Sequence, residues 1–422
     1  MTSEAVRRAG TDTHHMHQPL QGMAALMKKL CAGGDLNEIG SGFIARVQQD
    51  PGDANALMDL ATMLQLVGKP DLALNAQQQA LALSRLYRIV PKDGRVAIRV
   101  LALMAPGDLM SNTPLEFLIQ DSDVQLDMLY LSACLPIPAT IPEHDLLFVA
   151  VGESENNRPL LKELVSALKD WPRPVLNLPD RIAHLSRDTA SALLRDIPGV
   201  VMPVSVRIER AALEQIAHRT LDVSMVLGDG GFPIIIRPTD SHAGRGLEKI
   251  DGPEAISSYL EGMPQEHFCI ARFVDYSGRD HLFRKFRIAL IQGRPFACHM
   301  AVSEHWMIHY INAGMMQSAE KRLEEERFMQ EFDDGFALRH GSALRAVNER
   351  IGLDYLVIDC AETPDGQLLI FEIDSSAVVH AMDPVDIFPY KQAPMRKVFR
   401  AFLEMLAATA ARAPHSGPWS DG

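Results

Sequence analysis

The sequence predicts a mixed α/β protein with a short all-α region at its front. Three observations carry that reading. Residues 20–90 place apolar side chains at helical spacing, with no plausible strand before their end. From residue 94, strand-like and helix-like stretches alternate, and the second half is rich in strands joined by two short turns. A chain of 422 residues, 47% hydrophobic and 23% charged, has ample core for two or three domains.

The opening stretch "MTSEAVRRAGTDTHHMHQPL" lacks the apolar run of a secretory signal, and residues 1–19 read as a disordered leader. In "DANALMDLATMLQLVGKPDLALNAQQQALAL", Leu57, Leu60, Ala61 and Leu64 form one apolar stripe. Gly68, Lys69 and Pro70 interrupt it, and Leu72, Ala73, Ala76 and Ala80 form a second. The pattern predicts an antiparallel helix pair. The placing of Ala61, Gly68, Ala73 and Ala80 resembles one tetratricopeptide repeat, and since stacked repeats need about three units, residues 20–90 are expected to form a helical cap.

Residues 91–180 run strand, helix, strand, strand, helix, strand in "RVAIRVLALMA", "TPLEFLIQ", "VQLDMLYL", "DLLFVAVG", "RPLLKELVSALKD" and "PVLNLP". This predicts a small, mainly parallel, Rossmann-like sheet, although no G-x-G-x-x-G follows its first strand. Further on, "FPIIIRP" is a strand, "TDSHAGRG" a small-residue loop, "GPEAISSYLEG" a helix and "HFCIARFVDY" a strand. Two hairpins follow, one about Gln292 and Gly293, the other about "TPDG". A net charge of −13 makes nucleic acid a poor default partner, and no window approaches the roughly 18 apolar residues of a membrane span. The protein is expected in the cytoplasm, its five scattered cysteines reduced and in the core.

The chemistry concentrates in "LLIFEIDSS", where Glu372 and Asp374 share one strand face while Phe371 and Ile373 take the other. With Pro364 and Asp365 at the turn tip, Asp359 pairs opposite Ile370 and lies diagonal to Glu372. Three converging carboxylates repel one another unless a cation or proton compensates, and hard oxygen ligands suit Mg²⁺, which also engages phosphates. The plain alternative is an exposed sheet face with solvated acids. Upstream, Ser241, His242, Gly244 and Gly246 form a loop whose backbone N–H groups can approach an anion, with Arg237 at the preceding strand end. Lys285 and Arg287 share a strand face of their own.

The order of these features resembles the ATP-grasp superfamily. It is more closely similar to bacterial proteins that join a tetratricopeptide-like N-terminus to an ATP-grasp domain, on the stretches "RKFRIALIQGRPFACHMAVSEHWMIHY" and "FEIDSSAVVHAMDP". The resemblance implies an ATP-grasp domain over 181–412, after a Rossmann-like pre-domain and before a flexible tail at 413–422. It implies that Asp359, Glu372 and Asp374 hold Mg²⁺, two ions or Mn²⁺ in their place, against the phosphates of ATP. Ser241, His242, Gly244 and Gly246 would form the mobile loop over the β- and γ-phosphates. Arg237 and Arg187 stand where relatives have lysine, and Asp374 where they more often have asparagine. Arg272, Phe273 and Val274 match the hinge whose backbone meets adenine, and Asp280 the ribose ligand. Lys285, Arg287 and Arg237 would face the transferred phosphate, and His309, Tyr310 and Asn312 the acceptor.

The implied activity is carboxylate-amine ligation through an acyl phosphate, on small carboxylate and amine or peptide substrates. One rival is a nucleotide-binding regulatory or interaction protein with a degenerate ATP-grasp domain. Another is a His-metal hydrolase, for which "HWMIH" has the i, i+4 His pair but Trp306 where H-E-x-x-H has Glu, Glu304 preceding the pair. A protein partner at the N-terminal helices and a homodimer are both left open.

Overall fold

In the computed structural model, residues 18–228, 230–239, 241 and 244–412 are described. His242, the expected tail and all but the last two residues of the expected leader fall outside them. The described residues begin with four helices: α1 (Gly22–Cys31), α2 (Leu36–Gln49), α3 (Ala54–Leu66) and α4 (Pro70–Leu83). The Asp35 and Asp53 side chains cap α2 and α3, and Pro70 starts α4, where its missing N–H costs nothing. On α4 the buried face is Ala73, Ala76, Gln77 and Ala80. Leu72, expected in that stripe, is 60% exposed. It sits one residue, about 100° of helix, away from Ala73 and so off the seam against α3.

Among the described residues, fourteen strands make three sheets. The first has the order β1 (Leu86–Ile89), β3 (Val124–Tyr130), β2 (Ile98–Met104), β4 (Leu146–Val149) and β5 (Val175–Leu176). It is parallel except for β1, an antiparallel edge strand drawn from the end of the helical front. The second is antiparallel, ordered β7 (Ser205–Glu209), β10 (His267–Arg272), β8 (Ile234–Pro238) and β9 (Glu248–Ile250). The third is ordered β12 (Arg294–Ser303), β11 (Phe283–Ile291), β13 (Tyr355–Glu362), β14 (Leu368–Asp374) and β6 (Val200–Val201).

The first and third sheets share two apolar cores. The helix Gln392–Ala410 fills one of them with Val398, Phe402 and Met405, against Phe148 of β4 and Tyr355 of β13. Leu57, Met58 and Ala80 join the same core, so the helical front is built into the body of the protein. The second sheet has a core of its own, centred on Ile234, Ile236, Phe268 and Ile270.

Both expected hairpins form. Gln292 and Gly293 take positive φ, 49° and 75°, as a two-residue type I′ turn requires. The second hairpin corrects the expected register. Thr363 and Gln367 close a three-residue loop with Gly366 at φ 82°, and a bulge follows between Asp359 and Cys360. Asp359 therefore lies directly opposite Glu372, and Ile370 pairs with Cys360. Cys269, Cys298 and Cys360 are buried, but Cys31 and Cys134 are exposed, being at a helix end and in a loop. Among the described residues, no helix is long and apolar enough to cross a membrane.

Candidate active site

Between the second and third sheets lies a cavity of about 390 Å³. Its third-sheet wall follows from alternation. On β11, Phe286 and Ile288 turn into the shared core, so Lys285 and Arg287 turn to the cavity. The strand registers then place His299, Arg287, Asp359 and Glu372 in one row across β12, β11, β13 and β14.

Asp359 is the centre of that row. Arg287 grips it with two parallel hydrogen bonds, Nε to Oδ1 at 2.8 Å and Nη2 to Oδ2 at 3.0 Å, and Lys285 Nζ lies 2.7 Å from Oδ2. Burial alone would raise the Asp359 carboxyl, but Arg287 and then Lys285 outweigh it and hold the group well below the usual carboxylate range. Glu372 pairs with Arg187, the first residue of the helix Arg187–Leu194. Among the described residues, Asp374 has no such ion-pair partner. Burial, and then Glu372, push it up to about 7, while its Oδ1 accepts from Ser376 N at 2.7 Å.

These pairings engage two acids of the expected three-acid metal set, Asp359 and Glu372. Among the described residues, no group of three or more His, Cys, Asp or Glu side chains is placed to hold a metal ion. Asp359 is committed to two cations, which leaves Glu372 and Asp374 as the adjacent carboxylates. His305 and His309 of "HWMIH" lie in a loop and not on successive turns of a helix.

The second-sheet wall supplies Arg237 from the end of β8. Its Nε donates to Ser241 Oγ at 3.0 Å, and Nη2 contacts the Ser241 carbonyl. Burial, and then neighbouring Arg187, press its pKa down, so a bound anion would relieve both. The glycine loop comes back over this wall. Gly244 has φ 68°, and a Cβ there would lie 2.3 Å from His309 Nε2, a buried nitrogen without a hydrogen-bond partner among the described residues. Burial, and then Lys285, hold the His309 imidazole below its usual pKa. Gly244→Ala is therefore expected to lift the loop off His309. Proteolytic cutting between residues 238 and 247 should rise about fivefold, for a local cost of about 1 kcal/mol, with cutting elsewhere unchanged.

At the other end, Arg272 closes β10, and Phe273 and Val274 follow it as a non-strand segment, pinned by Phe273 N to Pro233 O at 2.9 Å. Lys249 covers the Phe273 ring at 4.6 Å, and Trp306 meets it edge-on at 5.7 Å. The cavity thus brings together Arg187, Arg237, Gly244, Arg272, Phe273, Val274, Lys285, Arg287, His309, Asp359, Glu372 and Asp374.

Five other expected residues do not line it. Ser241 Oγ is spent on Pro238 O at 2.8 Å, and the Gly246 carbonyl on the Tyr259 hydroxyl at 2.7 Å. Asp280 is bound by Arg284 through both oxygens, at 3.1 and 2.6 Å. Tyr310 turns away to Glu325, its hydroxyl donating at 2.9 Å, under Lys391 at 4.0 Å from the ring. Asn312 accepts from His309 N at 2.9 Å and so braces the loop. Conversely, Met110, Met202, Trp306 and Val378 line the cavity. Trp306 lies within "HWMIH"; the other three are ordinary apolar residues that folding delivers from distant loops.

No protein-family model matches the chain, and no curated protein matches it. Among solved structures, it is similar to D-alanine–D-alanine ligase from Bacillus anthracis complexed with ATP, at 13% identity and a TM-score of 0.44, over 75% of this chain and 98% of that one. VanG D-Ala:D-Ser ligase from Enterococcus faecalis gives 13% and 0.45, over 74% and 99%. A RimK domain ATP-grasp protein from Sphaerobacter thermophilus gives 15% and 0.41, over 74% and 99%. At these identities and scores, nothing about activity follows from the likeness.

Proposed function

We propose that the chain is an ATP-grasp ligase that joins a small carboxylate to an amine or peptide. The observation that carries this reading is the polarity of the cavity. One end offers a hinge backbone and aromatic rings, as a purine requires. The other gathers Arg187, Arg237, Lys285 and Arg287 around two adjacent carboxylates, as a polyphosphate with a divalent cation requires.

Glu372 and Asp374 fit Mg²⁺. They are hard oxygen donors side by side, and the rise of Asp374 to about 7 marks a site that takes up either a proton or a cation. Two protein carboxylates leave the remaining positions to phosphate oxygens and water, the usual arrangement for this ion. When bound, Mg²⁺ would neutralise charge on the phosphates.

Arg237 and Arg187 then grip the phosphates, with the Gly244 loop closed above. Lys285 and Arg287, held in place by Asp359, stabilise the transferring phosphoryl group. The substrate carboxylate oxygen attacks the γ-phosphorus and ADP leaves, giving an acyl phosphate. The amine attacks the acyl carbon, inorganic phosphate departs and the nitrogen loses a proton. No side chain needs to form a covalent bond.

Calorimetric titration tests the nucleotide and metal together. ATP is expected to bind at least tenfold more tightly in Mg²⁺ than in EDTA, and Glu372→Gln should remove most of that difference. Equal affinities in both buffers would sink the metal assignment. ADP release against mixtures of amino acids, peptides and small carboxylic acids then identifies the acceptors.

A further inference from the structure

The helical front meets the 107–111 loop through two glutamines. Gln77 is 7% exposed on the buried face of α4. Its amide bonds both backbone groups of Gly107: Gly107 N donates to Oε1 at 2.8 Å, and Nε2 donates to Gly107 O at 3.0 Å. Gln65, near the end of α3, donates to the same carbonyl at 3.1 Å. Gly107 has φ 153°, and a Cβ there would meet Ser111 Oγ at 2.1 Å, so this turn tolerates only glycine.

From Gly107 the loop runs to Met110, which lines the cavity. Ser111 O accepts from Gly152 N at 2.9 Å and from Asn157 Nδ2 at 3.1 Å. A Cβ on Gly152 would lie 2.2 Å from Ser376 Oγ and 3.1 Å from Met110 O. Ser376 N in turn donates to Asp374. Close contacts therefore run without a break from α4, through the 107–111 loop, to the acidic end of the cavity. A helical cap needs only apolar cover. A buried amide that satisfies both backbone groups of one loop glycine does something more specific, because it dictates where that loop sits.

We infer that Gln77, assisted by Gln65, is a positioning residue through which the N-terminal helices hold Met110 against the acidic end of the cavity. That this is the acceptor end rests on the ligase reading above; the holding of the loop does not.

The test uses the full-length chain with ¹³C-methyl methionine, the Met110 signal being assigned by Met110→Leu. Gln77→Ala is expected to move or broaden the Met110 methyl resonance and to speed amide exchange of residues 107–112 about tenfold. Affinity for Mg-ATP should stay within twofold. Gln65→Ala, which removes one hydrogen bond and not two, should give a smaller change of the same kind, and keeps the test available if Gln77→Ala does not fold. An unmoved Met110 signal with unchanged loop exchange overturns the inference. So does faster exchange spread evenly over α3, α4 and the first sheet, which would make Gln77 a packing residue only. If the unsubstituted protein fails to bind Mg-ATP, the ligase reading falls while the methyl and exchange results still decide this one.

Discussion

Asp359→Ala is expected to destabilise the protein by about 3–5 kcal/mol, the usual cost of removing one partner from a buried ion pair. The substitution leaves Lys285 and Arg287, with side chains only 18% and 22% exposed, facing each other with no carboxylate between them. Arg287 Nη1 still donates to Val378 O at 3.1 Å, and that does not neutralise its charge. Urea unfolding at pH 7 measures the loss. A further Arg287→Met change should recover part of it, because the double variant no longer buries that unpaired guanidinium. The pH dependence has a definite sign. The folded-state pKa of Asp359 is depressed, so its contribution is present above the unfolded value of about 4 and fades as pH falls below it. The wild-type and Asp359→Ala stabilities should therefore approach each other only below about pH 4. A gap that closes between pH 8 and 6 would mean that another group governs the difference.

Asp374→Asn should act in the opposite direction. Asp374 has a folded-state pKa raised to about 7 by burial and by Glu372. The stability linked to its proton is present below the unfolded pKa of about 4, and is lost as pH rises through about 7. Asparagine is neutral throughout and its side-chain oxygen still accepts from Ser376 N. Without divalent cation, Asp374→Asn is expected to exceed the wild type by about 2 kcal/mol at pH 8 and to match it near pH 4. Adding Mg²⁺ at pH 8 should raise the melting temperature of the wild type and barely move that of the variant. A variant no more stable than wild type at pH 8 would show that Asp374 is not strained by its neighbours. Stability given up at one acid and regained on cation binding is what a ligand site, as opposed to a structural ion pair, is expected to show.

Much of the site was legible because strand periodicity is local. "RKFRI" alternates core and cavity residues, and Glu372 and Asp374 are two apart on one strand, so each pair had to share a face, although Phe371, expected opposite Glu372, also lines the cavity. The glycine loop was legible for a similar reason: Gly244 and Gly246 both adopt φ near 65°, which few other residues take up readily. The register of the acidic hairpin was less legible. It depends on a three-residue loop and a bulge, and neither follows from the "TPDG" signal alone.

The sequence by itself determined the alternation of strands and helices over 91–180, the two hairpins, and the presence of acids and cations on facing strands, since all of these rest on spacing within a few residues. Tertiary structure alone decided which charge meets which. Arg187 reaches Glu372 across 185 residues, Asp359 is enclosed by Lys285 and Arg287, Asp280 is taken by Arg284, and Tyr310 is drawn off by Glu325 and Lys391. A buried charge is stabilised by the opposite charge nearest to it in space. That distance is set by sheet register and domain packing, which spacing along the chain does not encode.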